Sequence, residues 1–184
     1  MKSSDNEDVI TLSKFDVAER QLHQAIKMFF LEEDPVSVRT LAEAASQVLF
    51  DIGKKIGEKG FIRDLERIHP EYRKKWNSAI AETRNFLKHA DRDPEASHDF
   101  KPSTNDMVIL DAIFMYGSFR KEWSTECAVF FRWFGLKYPH LLTDSPGNEN
   151  IFKCVKSGEF EAKNKPFFYE VIEHIKLNEN KVAL

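Results

Sequence analysis

Residues 13–56 read SKFDVAERQLHQAIKMFFLEEDPVSVRTLAEAASQVLFDIGKKI. Two helices are written in this stretch. Val17, Ala18, Leu22, Ala25, Ile26 and Phe29 recur at three- and four-residue intervals, which lays them along one helical stripe. Val38, Leu41, Ala45, Val48, Leu49, Ile52 and Ile56 do the same further on. Between the two stripes stands Asp34-Pro35. Asp34 suits the N-cap, and Pro35 suits the first helical position, where the N–H it lacks would go unpaired anyway. Gly57 and Gly60 mark the end of the second helix. Two helices joined by a short link form an antiparallel hairpin, the repeating unit of an up-and-down helical bundle.

The same periodicity extends outward. A short segment, 61–69, ends at His69-Pro70. A third long helix is expected from about Glu71 to Ala90, with Trp76, Ala79, Ile80, Thr83, Leu87 and Ala90 as its core stripe. Asp93-Pro94 closes it, because the residue before proline avoids helical geometry. A polar loop over 91–104 follows. Further helices are expected from Asn105 or Asp106 to about Arg120, and from Ser124 to about Lys137. Two shorter C-terminal helices are expected over 149–156 and 166–177. Pro146-Gly147 marks a turn. No strand pattern and no repeat interrupts this order. The expectation is an all-α chain, with residues 1–12 as a flexible N-terminal arm and 13–184 as a single helical domain.

Composition narrows the class. Hydrophobic residues make up 42% of the chain and charged residues 31%, the balance of a soluble globular protein. The net charge of −3 argues against a protein that coats nucleic acid without selectivity. The two cysteines, Cys127 and Cys154, give no disulfide framework, which suits a reduced, cytoplasmic setting. The start is polar and acidic, unlike a signal peptide. No stretch approaches the ~20 apolar residues that cross a bilayer, so no membrane association is expected.

One run carries chemistry: Arg84-Asn85-Phe86-Leu87-Lys88-His89. Arginine grips phosphate with a planar fork of donors. Histidine is the side chain best suited to exchange protons near neutral pH. At about 100° per residue, Asn85 and His89 share a face pointing away from the expected stripe, with Arg84 on the flank. Such a group suits RNA cleavage without a metal or cofactor. The 2′-hydroxyl is the nucleophile, His89 transfers the proton, Arg84 neutralises the charge gained by the phosphate, and Asn85 orients either partner. Residues 71–92 hold six lysines and arginines against three acids. Arg73, Lys88 and Arg92 are therefore candidate contacts to substrate phosphate. Two other Arg–His pairs at similar spacing, Arg63–His69 and Arg92–His98, border or straddle prolines.

The run resembles the Arg-polar-x-x-x-His signature of the HEPN superfamily (higher eukaryotes and prokaryotes nucleotide-binding). The longer string through Ala90-Asp91-Arg92-Asp93-Pro94, with the preceding hairpin, is similar to bacterial members. The resemblance covers roughly residues 14–140 and leaves 141–184 unexplained. It implies a HEPN-like up-and-down bundle, here with extra C-terminal helices, that forms a homodimer. It also implies that Arg84 and His89 of both subunits line one cleft and cut RNA, with Asn85 supporting. Toxin–antitoxin or defence settings, with an antitoxin as partner, are implied in the same way. Some members bind only nucleotides or partner proteins. A non-catalytic nucleotide- or partner-binding helical module is thus the alternative. A helical interaction protein with a coincidental motif is the third reading.

Other groupings point elsewhere. Aromatics crowd 114–138, from Phe114 to Tyr138, as expected of core or dimer packing. Two Glu-x-x-His pairs, Glu66/His69 and Glu95/His98, lie beside prolines rather than on core-facing helices, so no metal site is expected. Cys127 falls on an apolar helix face, as a buried packing residue does.

Overall fold

The computed structural model describes residues 9–182 apart from 59, 61, 65, 67, 68, 92, 121 and 159, and it describes their side chains apart from those of 79 and 180–182. Seven α-helices account for most of it: α1 (Lys14–Phe30), α2 (Pro35–Gly53), α3 (Arg73–Lys88), α4 (Asn105–Gly117), α5 (Thr125–Lys137), α6 (Glu149–Ser157) and α7 (Lys165–Val182). No strand occurs among the described residues. The protein is an all-α helical bundle.

The hairpin forms where its caps place it. Ser13 Oγ accepts from the Asp16 N–H at 3.1 Å, and the Asp16 carboxylate accepts from the Ser13 N–H at 2.8 Å. This reciprocal box satisfies two donors at the start of α1. Asp34 accepts from the Ser37 N–H at 2.7 Å ahead of Pro35. The link between the helices is so short that Glu32 takes a left-handed backbone, with φ 55°. Phe29 and Phe30 then face the same interior as Leu22 and Ile26.

The core is built on aromatics. Phe29, Phe30, Phe130, Trp133 and Phe168 are all buried, and the Phe29 and Trp133 rings meet edge-on at 4.8 Å. Trp133 has no exposed surface, yet its indole N–H donates to the Ala162 carbonyl at 2.9 Å. That bond removes the penalty a buried indole N–H would otherwise carry. Phe168 and Ile172 of α7 belong to the same core as α1 and α5. Helix α7, which lies outside the HEPN resemblance, is therefore part of the packed core. Gly135 lets α5 sit close to its neighbours, since a Cβ there would fall 2.8 Å from Leu142 and 2.9 Å from Ile151.

Between α2 and α4 runs a polar seam. Arg39 donates to Glu43 at 3.1 Å and to Thr104 at 2.7 Å, Ser46 donates to Asp111 at 3.0 Å, and Asn105 donates to the Pro35 carbonyl at 2.9 Å. Arg39, Glu43, Ser46, Asn105 and Asp111 are all buried. Such a seam fixes register, because any slip strands a buried charge.

The third helix departs from expectation. It spans 73–88 rather than 71–90, after a 3-10 turn over Pro70–Tyr72. Its expected core stripe is not buried. Trp76 is 41% exposed, Ala90 lies exposed past the helix end, and Ile80, Thr83 and Leu87 are only half-buried. The physical reason is that α3 meets the bundle mainly through α2, with no second helix closing over it. The indole N–H of Trp76 donates to the Ile62 carbonyl at 2.9 Å, which ties α3 to the segment before it.

Residues 9–12 are exposed and non-helical, and residues 1–8 of the expected arm lie outside the described residues. Arg92 also lies outside them. Among the described residues, no helix is long and apolar enough to cross a membrane.

Candidate functional site on the third helix

Arg84 stands on the flank of α3, half-buried against α2. Its guanidinium donates to the side-chain oxygen of Gln47 at 2.9 Å. Gln47 in turn donates to Asp51 at 2.8 Å, one helical turn on. Arg84 is therefore oriented by a neutral amide, and among the described residues no carboxylate lies within salt-bridge distance of it. Arg63 is close enough to sense its charge. Burial pushes the Arg63 guanidinium below its ordinary range, Asp111 and Glu43 oppose that, and Arg84 adds to it. The two guanidiniums thus stand near one another beside α2, with Arg63 paired to Glu43 at 3.8 Å.

His89 is not in the last helical turn. It is the C-cap, with φ −127° and ψ 82°, and its N–H still donates to the Asn85 carbonyl at 2.9 Å. The helix ends here because the loop leads off toward Asp93-Pro94. The imidazole is about half exposed, and its Nδ1 lies 3.9 Å from the Asp91 carboxylate. Among the described residues, Nε2 has no hydrogen-bond partner. Asn85 and Lys88 are exposed, and Arg73 is half-buried in the first turn. Beyond the backbone bond from His89 to Asn85, no side-chain hydrogen bond or ion pair among the described residues joins Arg84, Asn85 and His89 to one another.

The chain reading missed two supports of this site. Gln47 lies 37 residues before Arg84, and nothing in the spacing marks it. His98 returns from the loop to stand 2.9 Å from Thr83 Oγ1 and 3.7 Å from the Glu82 carboxylate, its ring 5.2 Å from that of Phe86. His98 fastens this part of the loop onto α3. Among the described residues, no group of three histidines, cysteines or carboxylates is placed to hold a metal.

The fold and site define a helical bundle bearing a basic, partly exposed helix with one oriented arginine and one accessible histidine. Neither a family model, a curated protein nor a solved structure matches the chain. The HEPN resemblance therefore rests on the residues of the run itself.

Proposed function

We propose that this chain is a HEPN-type, metal-independent endoribonuclease that cleaves RNA by attack of the 2′-hydroxyl. The observation that carries the reading is the state of Arg84. It is held in place by the Gln47 amide while its charge stays unneutralised by any described carboxylate. A guanidinium so held is ready for a phosphate and needs little reorganisation to receive one. His89 contributes an accessible ring whose Nδ1 side faces Asp91. His89 would move the protons, Arg84 would hold the phosphate and Asn85 would orient it, with Lys88, Arg73 and Arg92 along the strand. A cytoplasmic homodimer, in which each subunit lends one Arg84–His89 set to a common groove, belongs to the same proposal. So does an antitoxin partner in a defence or toxin–antitoxin setting.

The test is incubation of the full chain with 5′-labelled single-stranded RNA in EDTA. Cleavage that leaves 2′,3′-cyclic phosphate ends, spares 2′-O-methyl RNA and vanishes in His89→Ala is the expected result. Intact RNA under these conditions overturns it. Tyr72, Trp76 and Phe86 are exposed aromatics on or beside α3, and they favour a second reading, a non-catalytic module that binds a nucleotide or a partner through this helix. Saturable binding without cleavage, lost in Arg84→Ala, is what that reading requires.

A further inference from the structure

A second group of reactive side chains meets where α1, α5 and α7 come together. His23 Nε2 lies 2.9 Å from Ser124 Oγ, across 101 residues of sequence. His23 Nδ1 lies 3.6 Å from a Glu126 carboxylate oxygen, and the Lys176 ammonium donates to that same oxygen. Ser124 is the N-cap of α5, and its Oγ accepts from the Cys127 N–H at 3.3 Å. A hydroxyl that already accepts from a backbone N–H keeps its own proton to donate. The acceptor within reach is His23 Nε2. The carboxylate of Glu126 can only accept, which favours the ring's single proton on Nδ1.

Burial lowers the His23 pKa, against the pull of Glu126 and Glu19 and with the help of Lys176. Burial thus favours the neutral ring, the form able to take a proton. Burial raises the pKa of Glu126, but the Lys176 hydrogen bond, His23 and its own N–H bring the carboxyl below its ordinary range. The side chain is ionised and buried beside the ring it faces. An open cleft of about 630 Å³ is lined by His23 and Glu126 together with Arg20, Lys27, Glu173 and Lys176, and Ser124 Oγ lies 2.9 Å from the His23 ring in its wall. Lys176 is engaged by Glu126, so the cleft offers a ligand the Arg20 and Lys27 cations, alongside the Glu173 carboxylate.

We propose that Ser124, His23 and Glu126 form a hydrolytic triad acting on small esters that carry a negative charge. Ser124 Oγ attacks the acyl carbon as His23 Nε2 takes the hydroxyl proton. The carbonyl oxygen becomes an oxyanion near the positive end of the α5 dipole. Its collapse breaks the ester bond, and His23 gives the proton to the leaving alkoxide. Water then attacks the acyl-serine, with its proton going to His23. The free acid leaves, and the proton returns to Ser124. Ser124 and His23 are the catalytic residues, and Glu126 is a positioning residue that holds the ring in one tautomer. The proposal is independent of the RNA reading and uses no residue of α3.

The experiment treats the full chain with a fluorophosphonate and follows p-nitrophenol release from p-nitrophenyl acetate and from its succinate half-ester. A single phosphonyl adduct on Ser124 is expected by peptide mass spectrometry. Turnover of the half-ester should exceed that of the acetate, and the advantage should vanish in Arg20→Ala/Lys27→Ala. His23→Gln should lower turnover about a hundredfold or more with its far-UV circular dichroism unchanged. Glu126→Gln should lower kcat while leaving KM in place. Ser124→Ala also removes a helix cap, so the adduct on the unaltered protein is the deciding observation. Folded protein with no Ser124 adduct and no turnover above buffer overturns the proposal. So does labelling of Ser124 that His23→Gln leaves unchanged.

Discussion

Helices α1 and α3 are almost equal in length, 17 and 16 residues, and both carry aromatic side chains. In α1, six residues are fully buried: Ala18, Leu22, Ala25, Ile26, Phe29 and Phe30. In α3, no described side chain is. The first is packed from several sides by α2, α4, α5 and α7, whereas the second rests mainly on α2. Burial of apolar area is what stabilises a helix in a bundle, at roughly 25 cal/mol per Å². The stability of the fold therefore resides in α1 and its neighbours. The residues of α3 are left largely free of that duty, and a surface freed from packing can be given to a ligand.

The contrast breaks most sharply on two tryptophans. Trp133→Ala should cost about 4 kcal/mol, because it empties the centre of the aromatic core. Trp76→Ala should cost no more than about 1 kcal/mol, because its ring is 41% exposed. Urea titration of both variants measures the difference, and similar midpoints would show that α3 is part of the core after all.

The polar seam comes next. Glu43→Ala leaves the Arg39 and Arg63 guanidiniums facing one another without the carboxylate between them. A loss of about 3 kcal/mol is expected, since an uncompensated buried charge is expensive. Glu82→Ala, which removes only an exposed carboxylate beside His98 on α3, should leave the urea midpoint within experimental scatter.

A third expectation concerns pH. Burial holds the His23 pKa below its ordinary value in the folded chain. The unfolded chain therefore takes up that proton first as the pH falls. The contribution is present at neutral pH and is lost on acidification below about 6.5, with a slope of at most about 1.4 kcal/mol per pH unit. Stability measured from pH 8 to 5 should show this slope, and His23→Gln should flatten it. An identical slope in the variant would mean that His23 titrates alike in the folded and unfolded chains.

A smaller loss is expected at the hairpin. Asp34→Ala should cost about 1 kcal/mol through the lost cap to Ser37, readable as a lower melting temperature.

The bundle was legible where the sequence carries local signals. Asp34 caps α2, Pro35 opens it, and most of the α1 stripe is buried; on α2, Val38, Ala45 and Leu49 are buried, Leu41, Val48 and Ile52 are half-buried, and Ile56 falls past the helix end and is exposed. Cys127 is buried, and its thiol is pushed up to about 12 by burial. The aromatic run over 114–138 supplies much of the core through Phe130, Trp133 and Phe134. The stripe on α3 misled because helical spacing predicts a face and says nothing of whether a second helix will cover it. Trp76 and Ala90 sit at proper stripe positions and remain exposed. The environment of Arg84 was illegible for a related reason, because Gln47 reaches it only through the packing of α3 on α2. The meeting of His23 with Ser124 is a tertiary event of the same kind. Along the chain, Ser124 signals nothing beyond the start of a helix.

The most direct measurement takes His89→Ala beside the unaltered chain and records melting temperature and RNA cleavage in EDTA on the same preparation. The account predicts an unchanged melting temperature, within about 1 °C, and cleavage reduced to background. An unaltered chain that leaves RNA intact, or a variant that still cuts it, would contradict the claim that α3 is the working surface of this bundle.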